Sequence, residues 1–255
     1  MPLTTEQQQR YARHIALGGV GAAGQAKLLR AKVLLIGVGG LGSPAALYLA
    51  AAGVGTIGLA DADAVSLSNL QRQVIHTTAD LGRPKALSAG DAMRAINPDV
   101  TVNAHRLFVT AANILPLLAD YDFVLDCTDT FAAKFLINDA CVLAGKPFSH
   151  AGILRFGGQL MTYAPGRGAP CYRCVFAAPP PAGQAAEPPA GPIGALPGVI
   201  GSLQAMEAIK YITGQGELLL GCLLTYDALK TEFRKIKLPR RTDCAACGGA
   251  SENFA

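Results

Sequence analysis

The sequence predicts an α/β fold with a mixed, largely parallel sheet, and three observations carry that expectation. Apolar residues make up 51% of the 255, yet aromatics are only 6% and Trp is absent. The core is therefore built from Ala, Val, Leu and Ile, the profile of helices packed on a parallel sheet. Strand-like and helix-like runs alternate over residues 32–150, and after His150 the pattern turns extended and hairpin-like. At roughly 150 residues per domain the length admits one large domain or two small ones. No repeat or separating linker is visible, so one domain over 1–255 is expected, with N-terminal helices at 5–30, a core at 31–150 and a different late part at 151–255.

Each element has a local reason. Thr5 and Gln8 stand at capping-box spacing and Tyr11 and Ile15 follow four apart, so a short amphipathic helix is expected, ended by Gly18 and Gly19. A strand (Val33 to Ile36), a Gly-rich turn, a helix (Ser43 to Ala52) and a strand (Thr56 to Ala60) ending at Asp61 form a βαβ unit of about 30 residues, the length a right-handed crossover needs. A helix is predicted from Pro84, placed at a first helical position, to Ile96, with Asn97-Pro98 as its stop. Strands follow at Val100 to Ala104 and Phe123 to Asp126, and Thr130 caps a helix through Leu143 that Gly145 closes. Ile153 to Tyr163 and Leu218 to Leu238 are predicted to form antiparallel hairpins, the second turning at Asp227-Ala-Leu-Lys230. Between them, 177–197 is too rich in proline for a helix or central strand and is expected to be a long, flexible surface loop. A helix from Ser202 to Ile212 follows, stopped by Gly214.

Composition narrows the function classes. Lys and Arg exceed Asp and Glu by four, with no run of five like charges, which argues against a nucleic-acid arm. The apolar content excludes intrinsic disorder. Val33 to Ala60 carries no charged side chain and is long enough to span a bilayer. Gly37, Gly39, Gly40, Gly42 and Pro44 nevertheless cut it into a strand, a turn and a helix. No secretory signal is visible at the N-terminus, so a cytoplasmic protein with no membrane partner is expected. Of the seven cysteines, four form two Cys-x-x-Cys pairs, which points to metal in a reducing compartment rather than to disulfides.

Several residues can carry chemistry. Gly37-Val-Gly39-Gly40-Leu-Gly42 lies directly between a strand and a helix, and Asp61 follows nineteen residues after Gly42. Such glycines let backbone N–H groups approach a phosphate, and the acidic residue can accept from ribose hydroxyls. NAD, FAD and ATP all offer both groups. The next segment, Ser66-Leu-Ser68-Asn69-Leu-Gln-Arg72-Gln73, with Arg83-Pro84-Lys85 beyond it, favours a nucleoside triphosphate, because Arg72 and Lys85 can neutralise a pyrophosphate leaving group. Alone, each is an ordinary surface cation. Asp126-Cys-Thr-Asp129 sits at the carboxyl end of a strand, where a carboxylate can hold Mg²⁺ against phosphate oxygens or simply cap the following helix. Cys171, Cys174, Cys244 and Cys247 supply four thiolates for a closed, structural tetrahedral Zn²⁺ site; a redox pair is the alternative.

Taken together these residues resemble the MoeB/ThiF/HesA family, bacterial relatives of ubiquitin-activating enzymes. The resemblance covers nearly the whole chain and extends to Arg10-Tyr-Ala-Arg13, Asp61-Ala-Asp63 and Gly198-Val-Ile-Gly-Ser-Leu-Gln-Ala-Met-Glu-Ala-Ile-Lys210. It stands nearer MoeB than ThiF. The resemblance implies an ATP-dependent adenylyltransferase acting on the C-terminal glycine of a ubiquitin-like sulfur carrier ending in Gly-Gly, MoaD-like for molybdopterin or ThiS-like for thiamine. It assigns Gly40, Asp61, Asn69, Arg72 and Lys85 to ATP and Asp129 to Mg²⁺, with Ser68 and the other loop glycines lining the nucleotide. Arg13 matches an arginine that reaches the partner's ATP across a homodimer interface. The 151–255 part would bind carrier and zinc.

Two departures from the family pattern stand out. Glu187 occupies the place where many relatives carry a loop cysteine, which puts a covalent carrier intermediate in doubt, and Thr130 replaces a frequent Asn. With no appended rhodanese-like domain visible, a separate sulfurtransferase is expected to deliver sulfur. A Rossmann oxidoreductase and a non-catalytic zinc-bearing scaffold remain as competing readings, although the four histidines, His14, His76, His105 and His150, form no proton-donor motif.

Overall fold

The structure is a computed structural model and describes residues 3–179 and 191–248. Three short helices open it: α1 (Thr5–Arg10), α2 (Ala12–Ile15) and α3 (Gly21–Arg30). The capping box is formed by Thr4 and Gln7, one residue before the expected pair, because adjacent threonines and glutamines offer the same spacing twice. The first helix also breaks at Tyr11, whose ring is buried and whose hydroxyl accepts from Asn97 Nδ2 at 2.8 Å.

The core follows as β1 (Lys32–Ile36), α4 (Gly42–Ala52), β2 (Thr56–Ala60), α5 (Lys85–Ile96), β3 (Thr101–His105), α6 (Ile114–Ala119), β4 (Phe123–Asp126), α7 (Phe131–Leu143), β5 (Phe148–Leu154) and β6 (Gly157–Tyr163). The late part adds α8 (Tyr172–Val175), α9 (Ala195–Thr213), β7 (Cys222–Asp227) and β8 (Glu232–Lys237). Pro84 is the N-cap of α5 rather than its first residue. α9 begins seven residues before the expected Ser202, so Ala195 to Pro197 is helical rather than loop. Pro197 is tolerated there because first-turn N–H groups have no partner within the helix. Glu187 and most of the stretch 177–197 lie outside the described residues.

Among the described residues one eight-stranded sheet runs β3-β2-β1-β4-β5-β6-β7-β8. The first five strands pair in parallel, and β5 to β8 pair antiparallel. Alternation sends Val33, Leu35, Phe123 and Leu125 to one face, against Leu49, Met93 and Ile200 from α4, α5 and α9. Leu34, Ile36 and Val124 go to the other face, against Ile114, Leu118 and Ile137 from α6 and α7. Strand order reverses between β1 and β4, and open α/β sheets bind ligands at the carboxyl ends of strands at such a point. No helix among the described residues is long and apolar enough to cross a membrane.

Candidate active site

The glycine loop leaves β1 at this reversal. Gly37 takes φ +93°, and a Cβ there would lie 2.8 Å from Cys127 O, so only glycine lets the loop rest on the end of β4. Gly39 and Gly40 continue it and Gly42 opens α4. Asp61, at the end of β2, braces the loop: its Oδ2 accepts from Val38 N at 2.8 Å and its Oδ1 from Asp63 N at 2.9 Å. The carboxylate therefore shapes the loop and remains partly exposed at its rim.

Residues 66–76 run along the loop's flank. Asn69 Oδ1 accepts from Ser66 N at 3.3 Å, Ser68 is exposed, and Arg72 Nη1 donates to Ser68 O at 3.1 Å. The Arg72 Cγ lies 3.6 Å from where a Cβ on Gly40 would sit, and Pro197 of α9 closes the same spot at 3.2 Å. Lys85, the first residue of α5, pairs through Nζ with Asp63 Oδ2 at 2.8 Å. Its side chain is 8% exposed and that of Asp63 55%, so the ammonium is held from one side while keeping donors for an anion. Gly37 to Gly42, Asp61, Ser68, Asn69, Arg72 and Lys85 are thus brought to one edge of the sheet.

Asp126 and Asp129 have opposite environments. Asp129 is exposed and makes no hydrogen bond among the described residues; the helix-capping bond belongs to Thr130, which accepts from Ala133 N at 3.3 Å. Asp126 is fully buried. Its carboxylate accepts from His150 Nδ1 at 2.7 Å and from Thr128 N and Oγ1 at 3.0 and 2.7 Å, and Lys134 Nζ stands at 3.4 Å. Burial pushes this carboxyl up, but the Lys134 charge and the hydrogen bonds outweigh it and hold the group well below the usual carboxylate range. The closed Asp126–Thr128 turn fixes the backbone that presents Asp129.

His76, Lys134 and His150 were not legible as site residues. His76 Nε2 meets Val38 O at 3.2 Å and its Nδ1 meets Ser88 Oγ at 2.9 Å, tying the glycine loop to α5. Burial lowers its pKa, so the neutral ring serves as a strut. Each of these residues lacks a spacing motif; only packing gives it a partner.

Arg13 is exposed on α2, and within the described chain no hydrogen bond or ion pair joins it to the loop. The four cysteines converge, with their sulfurs all within 4.8 Å of one another; Cys171 lies 3.6 Å from Cys244 and Cys174 3.4 Å from Cys247. Tetrahedral Zn²⁺ with Zn–S near 2.3 Å needs sulfurs about 3.8 Å apart, so the set fits that metal. Burial and the neighbouring sulfurs push the Cys171 thiol up, a cost that a bound cation would reverse. The cluster packs on the β-sheet face opposite α4 and α9 and leaves no open position for chemistry.

The reversal-point crevice, glycine loop and strand-end carboxylates define a Rossmann-like α/β protein of the nucleotide-binding type. Its lineage is specific: the chain belongs to the ThiF family, whose description matches residues 11–246. It is 46% identical over 255 residues to the sulfur carrier protein adenylyltransferase of Thermus thermophilus, covering 97% of this chain and 93% of that protein. It is 48% identical over 248 residues to the adenylyltransferase and sulfurtransferase MOCS3 of Bos taurus, covering 96% of this chain but 54% of that protein, so it spans about half of that relative. The crystal structure of E. coli MccB with ATP superposes with a TM-score of 0.83 at 25% identity, over 94% of this chain and 73% of that one.

Proposed function

We propose that this enzyme adenylates the C-terminal glycine carboxylate of a ubiquitin-like sulfur carrier, MoaD-like and serving molybdopterin synthesis. A carboxylate oxygen attacks the α-phosphorus of ATP, the bond from that phosphorus to the β-phosphate oxygen breaks, and an acyl-adenylate and pyrophosphate result. Asp61 takes the ribose, while Asn69, Ser68 and the glycine loop line the nucleotide. Arg72 and Lys85 neutralise the leaving pyrophosphate. Asp129 would hold Mg²⁺, which supplies further charge neutralisation when bound. The four cysteines would hold structural Zn²⁺, and Arg13 would complete the site of a second copy in a homodimer. One observation carries the reading: two cations and a carboxylate with no hydrogen bond among the described residues share the strand edge with the glycine loop, a set that hydride transfer does not require.

The cysteines favour a separate sulfur donor in the same reducing cytoplasm. Burial raises the thiols of Cys127, Cys141 and Cys222, so outside the four-Cys cluster no thiolate is ready to carry sulfur. The 151–255 part would receive the carrier. The test is exchange of labelled pyrophosphate into ATP with MoaD-like and ThiS-like carriers offered separately. Exchange should depend on the MoaD-like carrier and fall by at least about 100-fold in Asp129→Ala and Arg72→Ala, the loss of a few kcal/mol of transition-state stabilisation. Exchange with the ThiS-like carrier alone would move the enzyme to thiamine synthesis. ATP binding without exchange on any Gly-Gly carrier would refute the activity.

A further inference from the structure

Five carboxamide side chains are buried among the described residues: Gln25, Gln73, Asn97, Asn138 and Gln204. Four of them use both ends. Gln25 meets His14 Nδ1 and donates to Ala52 O, and Asn97 donates to Tyr11 Oη and Ala50 O while accepting from Asp99 N. Asn138 accepts from Tyr172 N and donates to Asp139, and Gln204 donates to Asp126 O and Ser149 O while accepting from Cys127. Gln73 differs. It is 4% exposed and its Oε1 finds no donor among the described residues. A buried, unpartnered acceptor calls for a ligand or a mechanistic reason.

Its position supplies one. The flank and the loop run side by side, with His76 bonded to Val38 and Arg72 against Gly40. Gln73 faces Gly39 between them. A Cβ on Gly39 would meet Gln73 Nε2 at 3.4 Å and Cδ at 3.9 Å, and no other atom outside its chain neighbours within 4 Å. The missing side chain of such a glycine is what lets a phosphate reach the backbone. The carboxamide therefore borders the opening through which the phosphates come.

Resting on the reading of this crevice as an ATP site, we propose that Gln73 is a nucleotide-contact residue: its Nε2 donates to a phosphate oxygen seated at Gly39. Oε1 points into the protein, so the carboxamide presents its donor end to the loop. Gln73 thereby joins Arg72 in selecting a phosphorylated nucleoside, and its amide is kept unpaired for that purpose.

The test compares the full chain with Gln73→Glu, which keeps the shape and both terminal atom positions but replaces the Nε2 donor by an anionic oxygen, and Gln73→Met, which keeps the length and removes both polar ends. ATP and adenosine affinities are measured by calorimetry, with melting temperature alongside. Gln73→Glu should weaken ATP by about tenfold or more and leave adenosine within about twofold, because the anion repels the phosphates that adenosine lacks. Gln73→Met should weaken ATP several-fold and leave adenosine within about twofold, with an unchanged or higher melting temperature because it removes an unpaired buried acceptor. If the wild type binds ATP and both variants match it, the inference fails, and a lower melting temperature with intact affinity would assign Gln73 a structural role instead. If the wild type itself binds no ATP, the reading of the crevice falls first and takes this assignment with it.

Discussion

Acid should weaken this fold through His150. Burial first, and the Lys134 charge second, hold its imidazole down to about 4, with the Asp126 hydrogen bond pulling the other way. In the unfolded chain the ring titrates near 6.5. Between those values the unfolded state takes a proton that the folded state refuses, so the stabilisation is complete above about pH 6.5 and is lost as pH falls toward 4. The interval of about 2.5 pH units, at about 1.4 kcal/mol each, amounts to roughly 3 kcal/mol. That is about a fifth or more of a typical domain's stability. The geometry explains why the fold resists protonation: Nδ1 already donates to Asp126 at 2.7 Å, and Nε2 has no acceptor among the described residues, the ring lying 4.2 Å from that of Tyr172.

Urea unfolding of the wild type and His150→Asn from about pH 7 to 4 measures this. An Asn amide can donate to Asp126 in place of Nδ1 and does not titrate. The wild type should lose roughly 3 kcal/mol more than the variant over that range. Parallel profiles would refute the reasoning, as would an imidazole titrating near 6.5 when followed by NMR in the folded protein. Asp126 cannot mimic the effect, because a carboxyl held below its ordinary value of 3.8 loses its contribution only below that pH.

Two further outcomes are expected. Purified protein should contain about one zinc ion per chain, absent from the double variant Cys171→Ser, Cys174→Ser and accompanied by a melting temperature lower by about 5 °C or more; a metal-free protein of unchanged stability would remove the structural role. Gly53→Ala should cost about 2–4 kcal/mol in urea unfolding, because Gly53 ends α4 at φ +80° and a Cβ there would lie 2.4 Å from the Tyr11 hydroxyl; a cost below about 0.5 kcal/mol would show that α1 and α2 can shift freely.

What the sequence made legible has a physical pattern. The β1–α4–β2 unit and β4 could be read because glycines, prolines and apolar runs act locally, and both ends of Thr56–Ala60 and Phe123–Asp126 fall where expected. The six residues of α6 contain Pro116 and are too short to show a period. The sequence shows an extended run only from Ile153 although β5 begins at Phe148, since Ser149 and His150 look like loop residues until Asp126 is beside them.

The same distinction divides the candidate site. Asp61 and Asp129 lie just past the ends of β2 and β4, and Arg72 and Lys85 fall in the run from β2 to the first residue of α5, so chain order alone brings them to the carboxyl edge of the sheet. His76, Lys134, His150 and Gln73 acquire meaning only from a partner brought by packing: Val38, Asp126 and Gly39. A polar residue usually counts against burial, and here each is buried because a neighbouring element supplies its counterpart or leaves it facing the glycine loop. Candidate residues at strand ends and in the segment after β2 can therefore be read from chain order, whereas the buried polar residues around them depend on contacts between elements distant in sequence.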